Sequence, residues 1–164
     1  CEEVAQCLHD YALPAKALEL EVTESSFIHH LEDAREVLLS ISELGVAIAV
    51  DDFGTGFSSL SLLRKLPVDE LKIDKSFVDN LERDAWAREL VQSIISIGKT
   101  HSMSLLAEGV ETAGEHAMLG QLGCAHVQGF AVARPMPFDE TLGWLTQHNT
   151  KLGALPQIRG GTAI

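Results

Sequence analysis

The sequence predicts an α/β fold in which helices alternate with the strands of a parallel sheet, and three observations carry that prediction. Segments with apolar residues at helical spacing alternate with short apolar runs of strand type across residues 1–148. Glycine and proline punctuate the boundaries between them. Successive strands end in charged or amide residues, the edge at which a (β/α) barrel or an open parallel sheet builds its site.

In chain order, Val4–Leu13 reads as a helix that stops before Pro14, and Leu18–Glu24 as the first strand. A helix over Leu31–Leu44 is closed by Gly45, and Val46–Asp52 is the next strand. A short helix, about Ser59–Leu66, ends at Pro67 and leads into strand Glu70–Asp74. A long helix follows from about Asp84 to Thr100, with Leu90, Ile94, Ile97 and Gly98 on its inner face. Strand Ser104–Val110, helix Ala113–Leu122, short strand Ala125–Gln128 and helix Phe138–His148 complete the alternation. The segment Asn149–Ile164, with Gly160-Gly161 and no periodicity, is expected to be a flexible C-terminal tail.

A chain of 164 residues that is 46% hydrophobic and 22% charged suffices for one domain with a sizeable core. Its net charge of −12 argues against a general binder of nucleic-acid polymers or of membrane surfaces. No 18-residue apolar run and no signal-peptide pattern occurs, so a soluble, cytoplasmic segment is expected. The cysteines, Cys1, Cys7 and Cys124, are odd in number and form no C-x-x-C. They predict a reduced compartment and three inert packing residues. Beginning at Cys1 inside a helical segment, the sequence reads as a fragment.

The richest stretch is Asp51-Asp52-Phe53-Gly54-Thr55-Gly56, where an apolar strand runs out into a tight loop. Adjacent carboxylates repel unless a cation neutralises them, and the glycines permit a sharp bend and a close ligand. An acidic surface turn is the plain alternative. Strand parity extends the pattern. If the bulky aliphatics face covering helices, Glu21, Asp51, Lys72, Glu108 and Gln128 share the opposite face near the strands' carboxyl ends. Each has a bland reading: Glu21 a solvated edge residue, Lys72 a snorkelling side chain, Glu108 a helix cap, Gln128 a structural hydrogen-bonder. Glu24 and Glu111 read equally as ligands and as capping or loop-bracing groups. His29-His30, His101 and His116 show no metal-ligand spacing.

Carboxylates with one lysine and no histidine cluster suggest oxygen-ligated Mg²⁺ or Mn²⁺ in a two-metal site suited to phosphodiester hydrolysis. A lysine there would hold the attacking water. No G-x-S-x-G elbow, Walker-type loop or G-x-G-x-x-G is present.

Six segments in order carry a family resemblance: Leu18–Ser25, Asp51–Gly56, Leu71–Val78, Ala107–Thr112, Gln128–Phe130 and Arg134–Pro137. Together they resemble the bacterial EAL domain, over roughly residues 1–148. The resemblance implies a partial TIM-like (β/α) barrel, its N-terminal strands missing, and cyclic di-GMP phosphodiesterase activity that yields linear pGpG. It implies metal ligation by Glu21, Asp51, Asp52 and Glu108, and a water-orienting role for Lys72. Gln128 is implied as a polar contact of the catalytic site. Glu24 and Glu111 resemble residues that support the loop after Asp52, a loop used at the family's dimer interface; Glu111 is also counted with the catalytic group. The Glu-Ala-Leu signature, its Arg and an Asn ligand are absent from the sequence. The expectation is therefore a competent phosphodiesterase in a longer parent, joined to a sensor or diguanylate cyclase domain and dimeric when intact, with this segment alone inactive. The alternative is a catalytically inactive EAL-like cyclic di-GMP sensor or protein-interaction module.

Overall fold

A computed structural model of the chain describes residues 1–23, 26, 31–55 and 63–153. Residues Cys1–Ala133 form one compact unit and Arg134–Ile164 another. The first unit contains helix α1 (Glu2–Asp10), a 3₁₀ turn at Ala15–Ala17, strand β1 (Glu19–Thr23), helix α2 (Leu31–Glu43) and strand β2 (Ala47–Phe53). Strand β3 (Glu70–Ile73), a one-turn helix α3 (Lys75–Val78) and helix α4 (Ala85–Thr100) follow. Strand β4 (Ser104–Ala107), helix α5 (Ala113–Leu122) and strand β5 (His126–Val127) complete it. In the second unit, helix α6 spans Phe138–Gly153, running past the predicted end at His148.

All five strands pair in parallel, in the sequential order β1-β2-β3-β4-β5. A doubly wound sheet reverses its order at a switch point, whereas a (β/α) barrel adds each strand beside the last. The order observed is that of a barrel wall.

Packing follows the parity of the sequence. Val50, Leu71, Ile73, Leu105 and Ala107 enter one core with Val91, Ile94 and Ile95 of α4 and Leu119 of α5. Leu38 of α2 packs with Ile48 in a second cluster, against which Leu20 and Val22 rest. Gly98 sits where α4 crosses β4: an added Cβ would lie 2.8 Å from the Leu105 side chain.

Several boundaries move. Helix α1 ends at Asp10 rather than Leu13, because Ala12 turns left-handed (φ 51°) and the Leu13 amide donates back to the Leu8 carbonyl. It buries none of its residues, so Cys1 and Cys7 are exposed and only Cys124 packs inside. The expectation of three packing cysteines is corrected on that ground. Helix α3, absent from the sequence reading, forms because Asp74 caps it: the Asp74 carboxylate accepts from the Ser76 amide at 3.0 Å. The short helix expected at about 59–66 falls largely outside the described residues. No helix among the described residues is long and apolar enough to cross a membrane.

Candidate active site

Three strands deliver one charged cluster. Lys72 stands on β3, only 4% exposed. Its Nζ donates to Glu21 Oε1 at 2.5 Å and lies 2.8 Å from Glu108 Oε1. A buried ammonium requires such partners, since an unpaired charge there would be strongly disfavoured. Glu21 is on β1, two strands away, paired in register with Ala49 of β2. Glu108 follows β4 directly and is fixed by its amide, which donates to the Ile73 carbonyl at 3.0 Å. Burial works to lower the Lys72 pKa, but the hydrogen bonds it donates to Glu108 and Glu21 prevail and hold it above the ordinary lysine range.

The acidic pair occupies an irregularity that simple alternation does not foresee. Val50 pairs with Leu71 and Phe53 with Ile73, so Asp51 and Asp52 together stand opposite Lys72 alone. This bulge returns Phe53 to the core, 4% exposed, where strict alternation would put it beside Asp51. Asp52 takes up the extra residue in a left-handed conformation (φ 54°). Its amide donates to Asp51 Oδ1 at 2.9 Å, and its carbonyl accepts from the Thr55 hydroxyl at 2.9 Å. Gly54 (φ 97°) closes the turn, with space for a Cβ limited by Phe77 at 3.0 Å. The Asp51 charge, with desolvation and the Asp74 charge behind it, raises the Asp52 pKa. Asp51 also acts on Lys72 electrostatically.

The donor set fits a hard divalent cation in kind, being entirely carboxylate oxygen, and the Asp51–Asp52 repulsion is what a cation would relieve. Convergence is partial. Among the described residues no three acidic, histidine or cysteine side chains come together tightly enough to hold a metal. Lys72 takes the carboxylates of Glu21 and Glu108 instead.

The remaining expected residues lie at the margin. Gln128 follows β5 beside Glu108, its amide donating to the Ala107 carbonyl at 2.8 Å; its side chain is exposed. Glu111 is half-exposed and accepts from Lys75 of α3, holding that lysine above its ordinary pKa. Glu24 and the loop over 56–62 lie outside the described residues. Sequence reading passed over Lys75 and over Glu115, whose carboxylate accepts from the amides of Glu111 and Thr112 at 2.9 and 3.0 Å. The signal for Glu115 was legible as Thr-x-x-Glu, a capping box.

Consecutive parallel β/α units with a polar cluster at the carboxyl rim define a TIM-like (β/α) barrel protein. The EAL-domain family model matches residues 1–135, and the chain belongs to that family. The cyclic di-GMP phosphodiesterase NbdA of Pseudomonas aeruginosa is 40% identical over 158 residues, 96% of this chain and 20% of that protein. The phosphodiesterase MucR of the same species, in complex with c-di-GMP, superposes with a TM-score of 0.81 at 40% identity, covering 85% of this chain and 57% of that one. A manganese/cyclic di-GMP complex of Klebsiella pneumoniae BlrP1 gives a TM-score of 0.77 at 31% identity, over 82% of this chain and 34% of that one. The chain spans about a fifth of the length of the curated relatives it matches.

Proposed function

We propose that this chain forms the acidic wall of a cyclic di-GMP phosphodiesterase site, one that uses Mg²⁺ or Mn²⁺ to open one phosphodiester and yield linear pGpG. The observation that carries the reading is the junction of Glu21, Lys72 and Glu108 from three strands at one rim. Glu21, Asp51, Asp52 and Glu108 are the residues that would hold metal. When bound, a divalent cation would neutralise phosphate charge and favour attack by water.

The chain's own groups then have distinct tasks. Lys72, between Glu21 and Glu108, is the residue that would orient the attacking water and favour its hydroxide form. The proton released as the water oxygen joins phosphorus must pass to a carboxylate, and Glu21 and Glu108 are the two in contact with Lys72. The P–O3′ bond breaks, and the departing 3′ oxygen takes up a proton. Gln128 supplies a polar contact at the rim. Glu111, with Lys75, and Glu24 brace the surrounding loops, and the intact domain pairs as a homodimer in a cytoplasmic signalling protein with further domains.

Because the described carboxylates do not converge in threes, turnover requires donors beyond them. The same fact favours one second reading, a module that binds cyclic di-GMP without cleaving it. Incubating the 164-residue chain, and a longer protein containing it, with cyclic di-GMP and Mg²⁺, Mn²⁺ or chelator separates them. Metal-dependent pGpG from the longer protein and little or none from the short chain is expected. A longer protein that leaves the dinucleotide intact while binding it without metal would establish the sensor reading instead.

A further inference from the structure

We propose that Lys75 is a positioning residue for Glu108, and that it acts through its aliphatic stem rather than its charge. The inference rests on the phosphodiesterase reading above, in which Glu108 belongs to the reacting group, and adds the residue that keeps it in place. Three observations support it. Glu108 is followed at once by Gly109, which stands in the left-handed region (φ 67°). A glycine there is the loosest point of the loop, free to take conformations closed to other residues. The Lys75 stem occupies the space that a Cβ on Gly109 would fill, with its own Cβ, Cγ and Cδ all against that position. Lys75 in turn stands on a fixed platform. Asp74 caps α3, Val78 is fully buried, and Phe77 lies against Gly54 in the turn after Asp52. One helical turn thus touches both loops that present the acidic rim.

The ion pair of Lys75 with Glu111 contributes less. The two side chains are 47% and 46% exposed, and a pair so open to water is worth little because solvent and salt screen it. A methylene stem packed on backbone is not screened in that way and outlasts the loss of its charge. Backbone hydrogen bonds flank the same point: the Glu108 amide donates to the Ile73 carbonyl and the Val110 amide to the Gln128 carbonyl, each at 3.0 Å. They pin the residues on either side of Gly109 and leave the Glu108–Gly109 link to the stem. Freedom at that link becomes freedom of the Glu108 carboxylate, whose Oε1 lies 2.8 Å from Lys72 Nζ.

Two variants separate stem from charge: Lys75→Ala removes both, and Lys75→Met removes the charge alone. In the 164-residue chain, amide hydrogen exchange followed by NMR should be about tenfold faster at Glu108 and Val110 in Lys75→Ala, with Val50 and Ile95 in the core unchanged. Lys75→Met should match wild type. In a longer protein containing the chain, kcat for pGpG formation should fall about tenfold in Lys75→Ala with KM unchanged, and Lys75→Met should restore it. A Met variant as defective as the Ala variant would assign the effect to the ion pair and overturn the proposal. Exchange at Glu108 as slow in Lys75→Ala as in wild type overturns it too. So does exchange that quickens equally at all four amides, because global stability alone would then have changed. If the wild-type longer protein makes no pGpG, the phosphodiesterase reading falls, while the exchange comparison still decides whether the stem holds Glu108.

Discussion

Gly129 shows how one missing side chain ties the rim together. A Cβ there would lie 2.2 Å from the Val110 carbonyl oxygen and 2.3 Å from its nitrogen, at φ 156°. Those neighbours are backbone atoms in the β4–α5 loop, held by the Val110 amide donating to the Gln128 carbonyl at 3.0 Å. No rotamer change can relieve the clash. Gly129→Ala should therefore destabilise by about 3 kcal/mol in urea unfolding. Gly120 on α5 has nothing within 4 Å of the same added atom, so Gly120→Ala should stabilise by about 0.5–1 kcal/mol. Equal effects would show that the Gly129–Val110 approach is not rigid. Cys124 makes a second case, in pH. Burial pushes its thiol above the ordinary value, so below about pH 8.5 it is neutral in both folded and unfolded chains and pH-independent. Above that, the unfolded chain releases the proton first, and stability falls as pH rises toward the folded value. Cys124→Val should flatten this decline above about pH 8.5, measured by urea midpoints at each pH. Cys1 and Cys7, both exposed, should react with Ellman's reagent quickly in native buffer, and Cys124 only after unfolding.

Helix α5 begins with a complete capping box: Thr112 Oγ1 accepts from the Glu115 amide at 3.1 Å, and Glu115 accepts from Thr112 and Glu111. Glu115 is also 7% exposed, so its loss strands two amides in a site poor in water. Thr112→Ala and Glu115→Ala should each lower unfolding free energy by about 1–2 kcal/mol, while Glu115→Gln, which keeps an acceptor, should lose well under half of that. A Gln variant as unstable as the Ala variant would assign the effect to charge rather than to capping. This cap could be read from four letters of sequence, as could the parity that set Glu21, Lys72 and Glu108 on one face. Local periodicity fixes which way a strand side chain points, and a parallel sheet then brings distant strands into register. The bulge at Asp51-Asp52 could not be read that way. Its cause is nonlocal: Phe53 gains burial against Ile73 and α4 only if an extra residue is inserted, and nothing within the strand itself signals that. Nor did the sequence distinguish a barrel wall from an open sheet, because strand order is set by how each crossover packs and not by any single element.

The chain carries 24 acidic and 12 basic residues, a net charge of −12, while the proposed substrate is a dianion. Two negatively charged partners repel over the Debye length, which is about 30 Å at 10 mM salt and about 8 Å at 150 mM. In metal-free buffer the long-range field therefore opposes binding most when salt is scarce. Lys72 offers no local compensation, since its charge is already committed to Glu21 and Glu108. Cyclic di-GMP affinity in chelator should thus improve several-fold as ionic strength rises from about 10 to 150 mM, the reverse of the trend for a basic nucleotide site. Divalent metal at the rim changes the sign of the local potential, so with Mn²⁺ present the same salt increase should leave affinity unchanged or weaken it. Titration calorimetry at three ionic strengths, with and without Mn²⁺, measures both slopes. Metal-free binding that tightens as salt is removed would mean that a local basic contact outweighs the net charge. Recognition of the dinucleotide would then rest on cations of the protein, and the acidic rim would have no need of metal to receive it.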